Sequence, residues 1–206
     1  ALSALPVALA AGATINRGHN AMDSNYHDIA SAKFPQVSTM TDRDGNPLAT
    51  FYTQRRQEVA SDQISEPMKK AIVAIEDRRF YDHHGVDLRG TARAVVANIT
   101  HGGVAQGAST LDQQYVKNYL MLVKAKTDDE RTAANEDTVA RKLREMKLAS
   151  ELDKNLSKDE ILTRYLNLVE FGNGAYGVQT AAQTYFHVDA KDLTVPQAAL
   201  LAGMVQ

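Results

Sequence analysis

Three short stretches gather side chains that can do chemistry. Residues 75–87 read IEDRRFYDHHGVD and follow directly on the apolar run AIVA. Glu76 thus stands where apolar surface gives way to ionisable groups. A carboxylate in such a place is partly desolvated, which favours its neutral form and suits it to general-base work. The plainer reading pairs Glu76 and Asp77 with Arg78 and Arg79 on a solvated turn. Asp82, His83 and His84 raise the question of a metal. Adjacent residues rarely point at one ion, and the HExxH spacing is absent, so the metal reading has little support. Residues 107–118 read GASTLDQQYVKN. Gly107, Ala108 and Ser109 bring backbone N–H groups together at a helix start, which suits an anionic oxygen. Gln113 and Lys117 stand four apart and share a face, with Gln114 beside them. Such a set binds sugar hydroxyls and a phosphate; a well-capped, solvated helix explains it equally well. Residues 139–149 read VARKLREMKLA. Arg141 and Lys142 lie within one turn of Glu145. That is either a solvated lattice of ion pairs worth little or a site for a pyrophosphate. The residue types alone do not decide.

The elements that must position these groups are mostly helical. Ser65 caps a helix with Pro67 in its first turn, and Met68, Ala71, Ile72 and Ile75 share its apolar face. Asp87 caps a second helix to about Asn98, and residues 101–108 (HGGVAQGA) read as a mobile loop, with 101–107 a candidate lid. Ser109 begins a third helix with Asp112 at its N3 position. The apolar run 119–123 (YLMLV) either dips into a bilayer or packs in the core. One long helix is expected from near Asp128 to Leu156, with Val139, Leu143, Met146 and Ser150 on one face. Ser157 and Glu160 form a capping box for ILTRYLNLV, which GNGAYG ends. VQTAAQTYF is another helix, and Thr194, Pro196 and Gln197 open a last one. Ahead of these, VSTMT and LATFYTQ flank DRDGNP, and Asp44-Gly45 marks a small β-hairpin. An EF-hand loop counted from Asp42 fails, because its twelfth position is Thr53. Residues 16–36 have no clean period and read as a linker.

The whole chain sets wider bounds. Its 206 residues suffice for one sizeable domain. A net charge of −2 argues against a nucleic-acid partner. The absence of Cys removes disulfides, thiol nucleophiles and Cys-type zinc sites. Residues 1–15 carry no charge and are too short to span a bilayer. They read either as the outer end of a membrane anchor or as an apolar terminus packed on the domain. The polar stretch that follows favours the anchor. The division expected is an apolar segment at 1–15, a linker and hairpin at 16–62, and the main domain at 63–206.

The order of the segments adds a resemblance. The chain resembles the peptidoglycan glycosyltransferases of family 51, the polymerase domains of class A penicillin-binding proteins and their monofunctional relatives. EDRRFYDHHGVD looks like the first motif of that family, GASTLDQQYVKN the second and RKLRE the third. ILTRYLNLVEFGNGAYGVQTAAQTYF looks like the fourth, and LTVPQAALLAGMVQ the fifth. One motif would be weak; five in order over residues 63–206 are specific. Asp112 stands where the second motif usually has Thr, which puts one substrate contact in doubt. Gln197 stands where the fifth often has Glu. The transpeptidase set S-x-x-K, S-x-N and K-T-G is missing, so the chain reads as one domain of a longer protein or as a monofunctional enzyme.

The resemblance implies a mainly α, lysozyme-like head with a smaller membrane-proximal jaw. It implies polymerisation of lipid II into β-1,4-linked glycan strands, with inversion and release of undecaprenyl pyrophosphate, at the extracytoplasmic face of a bacterial membrane. By match to the motifs, Glu76 is the base and Glu145 the second carboxylate, which orients the cations or assists the donor site. Asp77, Ser109, Thr110, Gln113, Gln114, Lys117, Asn118, Arg141 and Lys142 bind substrate. A divalent metal, Mg or Mn, would be an auxiliary. Phe80, His84 and Asp87 hold the first motif, and Tyr165 and Asn167 support the fold behind the cleft. The partners implied are lipid II, the growing strand, the membrane surface and other cell-wall synthesis proteins. The family is inhibited by moenomycin. Two rivals stand beside this reading. A lysozyme-like lytic enzyme would share the shape and a lone Glu but has no need of the Lys/Arg set. A non-catalytic lipid II-binding scaffold would not need Glu76 and Glu145.

Overall fold

A computed structural model describes residues 26–91, 109–135 and 138–205. Residues 1–15, most of the helix expected after Asp87 and the loop expected at 101–108 lie outside the described residues. The architecture is mainly helical with two small two-stranded sheets. Strands β1 (Ser38–Thr41) and β2 (Pro47–Phe51) form the hairpin that Asp44-Gly45 signals. The Asp42 carboxylate ties its turn by accepting from the backbone N–H groups of Asp44 and Asn46. The stretch read as a linker is partly structured. Residues Tyr26–Ala30 form α1, and Ile29 and Phe34 enter the core. Isolated apolar residues among polar ones gave no period to read, yet they are buried.

Helix α2 (Glu66–Glu76) starts as expected, with the Ser65 side chain accepting from the Met68 N–H. Met68 and Ile72 are buried against Ala198, Leu201 and Ala202 of α8 (Val195–Met204). Ile75 is exposed instead, because the last turn of α2 faces an open cleft. Helix α3 (Leu111–Tyr119) begins one residue later than expected. Thr110, not Ser109, is the cap, and its hydroxyl accepts from the Gln113 N–H and donates to the Gly85 carbonyl at 2.7 Å. The YLMLV run ends α3 in a π-turn, Leu120–Lys124. Tyr119 and Leu120 are buried, and Met121, Leu122 and Val123 are half-buried.

The single long helix is two: α4 (Asp128–Asn135) and α5 (Val139–Asn155), the second capped by Thr138. Its buried face is also not the apolar stripe. Glu145, Leu148, Ala149 and Leu152 face inward, whereas Val139 and Leu143 are exposed. Helix α6 (Lys158–Leu168) carries the capping box of Ser157 and Glu160. Its C-terminus is closed by Arg56 from β3 (Arg55–Arg56). The buried guanidinium donates to the carbonyls of Asn167 and Leu168 at 2.9 Å and lies between the Phe34 and Tyr176 rings. Burial lowers its pKa to about 10, which still leaves it charged. β3 pairs in parallel with β4 (Ala175–Tyr176), and α7 (Val178–Phe186) follows. No helix among the described residues is long and apolar enough to cross a membrane.

Candidate active site

The end of α2, the outer face of α3 and the segment after α6 enclose a cleft of about 820 Å³. Glu76, Ser109, Gln114, Lys117 and Asn118 line it, with Met121, Leu122 and Glu170. Residues far apart in sequence therefore meet on one surface. Glu76 is not paired with Arg78 or Arg79. Its Oε2 accepts from Gln114 Nε2 at 2.7 Å, while Gln114 Oε1 accepts from the Tyr165 hydroxyl at 3.0 Å. Arg79 pairs with Asp87, and Arg78 donates to the Ala74 carbonyl.

A second group adjoins the cleft through Ser109. Lys142 Nζ donates to Ser109 Oγ at 2.7 Å and reaches Glu145 Oε2 at 3.5 Å. Arg141 binds the other Glu145 oxygen. Glu145 is buried, which makes the two cations necessary rather than decorative. Burial lowers the pKa of the Lys142 ammonium. Glu145 opposes that shift, and the charges of Arg141 and Lys117 add to it. Two cations thus hold one carboxylate beside the cleft wall, Lys117 adds its charge from the cleft, and the surplus positive charge favours an anion there.

Other expected site residues face inward. Asp77 Oδ2 accepts from His83 Nε2 at 2.8 Å and from the Leu111 N–H at 3.0 Å, so it binds the first motif to the start of α3. Thr110 and Gln113 are buried at that helix start. Asp112 is fully buried and points away from the cleft, so its departure from the family pattern changes a packing contact rather than a contact on the cleft surface. It is held by Lys158 Nζ at 3.3 Å. His84, expected to hold the first motif, does not do so from the core. His83 is buried against Phe80, whereas the His84 ring is exposed and touches Asp153. Asp82 is exposed. Gly85 is fixed by space and by a φ of +74°, since a Cβ there would lie 2.5 Å from the Ala149 carbonyl oxygen.

Among the described residues, Asp77, His83 and Asp112 have donor atoms within 4.8 Å of one another, near enough to hold a metal ion. Both carboxylates are already engaged, however, although His83 Nδ1 is buried without a hydrogen-bond partner. Asp77 accepts two hydrogen bonds, and the Lys158 ammonium sits against Asp112. A buried site with one imidazole and a resident ammonium does not fit Mg²⁺ or Mn²⁺, which hold oxygen ligands and waters.

Sequence reasoning missed Lys158, Glu170 and the part played by Gln114 and Tyr165. Tyr165 stands within the fourth motif, but nothing in its spacing shows that its hydroxyl reaches a residue 51 positions away.

Comparison with known proteins accords with this geometry. The family model described as Transglycosylase matches residues 44–206. The chain is 42% identical over 185 residues to penicillin-binding protein 1A/1B of Bacillus subtilis (strain 168), covering 89% of this chain and 19% of that protein. It is 38% identical over 167 residues to penicillin-binding protein 1F of the same organism, covering 81% of this chain and 22% of the relative. Penicillin-binding protein 1A of Neisseria flavescens is 42% identical over 166 residues, with 81% and 19% covered. The chain spans about a fifth of the length of these relatives. A family match over most of the chain, five motifs in order and a carboxylate-and-cation cleft on a mainly helical frame agree: the chain belongs to the transglycosylase family.

Proposed function

We propose that this domain is a peptidoglycan glycosyltransferase that polymerises lipid II. The observation that carries the reading is the cleft itself, where Glu76 and Lys117 share one surface and the Arg141–Lys142–Glu145 group adjoins it through Ser109. Glu76 takes the proton of the acceptor 4-hydroxyl as that oxygen attacks the anomeric carbon of the donor strand. The bond from that carbon to the pyrophosphate oxygen breaks, the centre inverts, and a β-1,4 linkage forms. The leaving group departs as undecaprenyl pyrophosphate. It needs charge stabilisation more than a proton, and Lys117, Arg141 and Lys142 supply it. Glu145 keeps two of those cations in place, and no step is assigned to a metal. Ser109 and Asn118 offer polar contacts on the same wall.

The surroundings suit a lipid-linked substrate. Met121 and Leu122 give the cleft an apolar border, and Val139 and Leu143 are exposed on a neighbouring helix. We place the domain at the extracytoplasmic face of the membrane with this border toward the lipid.

The test is incubation with labelled lipid II in detergent, beside a parallel incubation with finished peptidoglycan. Lipid II should be converted to long glycan and the finished polymer left intact. Release of soluble muropeptides from the finished polymer would instead indicate a lytic enzyme. Binding of lipid II without turnover would indicate a scaffold.

A further inference from the structure

Gln114 has an amide with two ends of similar shape and opposite character. An ionised carboxylate only accepts hydrogen bonds, so the NH₂ end must face Glu76. The carbonyl end then requires a donor behind it. Tyr165 is that donor: its ring is fully buried in α6, and its hydroxyl lies 3.0 Å from Gln114 Oε1. Burial foremost, and then the charge of Glu76, hold the Tyr165 phenol above its usual range. It therefore keeps its proton wherever the enzyme works. A flipped amide would set its carbonyl against the carboxylate and would take from the Tyr165 hydroxyl proton its Gln114 acceptor.

We propose that Tyr165 is a positioning residue for Glu76, acting through Gln114. The hydroxyl fixes the amide, and the amide fixes one oxygen of the carboxylate at 2.7 Å. The other oxygen is left to meet the acceptor hydroxyl. Loss of a hydrogen bond donated to a carboxylate disfavours the charged form, which makes the pH profile of the variants the readout of the relay. Tyr165 does not line the cleft, so it acts only at second hand. Among the described residues, the ionisable groups that share the cleft with Glu76 are Lys117 of α3 and Glu170 after α6; α8 adds only Met204 there, with Val205 just beyond it. Neither Lys117 nor Glu170 is touched by the substitutions below.

This inference rests on the reading of Glu76 as the base. Its test is the pH profile of lipid II polymerisation for the wild type, Tyr165→Phe, Gln114→Met, the double variant and Glu76→Gln. Tyr165→Phe should lower kcat by about tenfold, the order expected when a reacting group is loosened, with KM for lipid II unchanged. Its acid limb should move to higher pH. Gln114→Met, a change on the cleft wall that leaves the core intact, should reproduce both effects. The double variant should be no worse than Gln114→Met alone, because one relay is broken only once. Unmoved acid limbs, additive losses, or a change in KM alone would overturn the relay. If Glu76→Gln stays active, the base assignment itself fails. If Glu76→Gln is inactive while Tyr165→Phe keeps the wild-type profile, only the relay fails.

Discussion

Lys158 lies between two carboxylates, Asp112 at 3.3 Å and Asp153 at 2.5 Å, with the Phe80 ring 4.6 Å from its ammonium. Removing one partner of a buried pair leaves the other charge uncompensated. Lys158→Met, which keeps the chain length, should therefore cost about 3 kcal/mol of stability, read as a lower urea midpoint. Adding Asp112→Thr should recover much of that loss, and an unchanged midpoint in the single variant would contradict the account. This pair shows what single residues concealed. Asp112 was legible as a departure from the motif, but its partner sits 46 positions away and at the start of another helix. The carboxylate and cation types at Glu76, Lys117 and Arg141 were legible because each is the chemically active residue of its own stretch. The inward direction of Asp77 and Gln113 was not, since spacing along one helix does not say what is packed against it.

Helix ends carry the next level of the argument. The caps at Ser65, Ser157 and Thr194 were readable because a cap is a local hydrogen bond between near neighbours. The split between α4 and α5 was missed although Thr138 is a good cap, because helical periodicity continues on both sides of it. The buried face of α5 was misjudged for a different reason: Glu145 is inward only because Arg141 and Lys142 accompany it. The turn that joins α6 to α7 makes a sharp prediction. Gly177 has φ of +79°, and a Cβ there would lie 2.8 Å from the Asn167 carbonyl oxygen. Gly177→Ala is strained in both respects and should lose about 2 kcal/mol or more. Its thermal midpoint should fall by several degrees, and a midpoint equal to the wild type would show that the turn relaxes freely.

At the scale of the whole molecule, carboxylates set the acid limit of stability. Hydrogen bonds from Ser61 and then Lys69 hold Asp159 below its ordinary 3.8, and the Ser157 backbone holds Glu160 below its ordinary 4.5. Their folded values lie below the unfolded ones, so their contribution is present above those ordinary values. It is lost as pH falls through the lower, folded values. Asp112 has the opposite sign, since burial raises its pKa and its ionisation opposes folding. Asp159 and Glu160 together outnumber it, and the urea midpoint should fall between pH 5 and about pH 3. A flat or rising midpoint there would contradict that balance. The same folded frame brings Glu76 from α2, Lys117 from α3 and Glu170 from beyond α6 to one cleft, which no single segment could build. The central claim is that this cleft polymerises lipid II with Glu76 as its base, and one measurement reaches it directly: the initial rate of labelled lipid II polymerisation by Glu76→Gln against the wild type. The account predicts a loss of about 10²- to 10⁴-fold with lipid II still bound. A rate within tenfold of the wild type would contradict it.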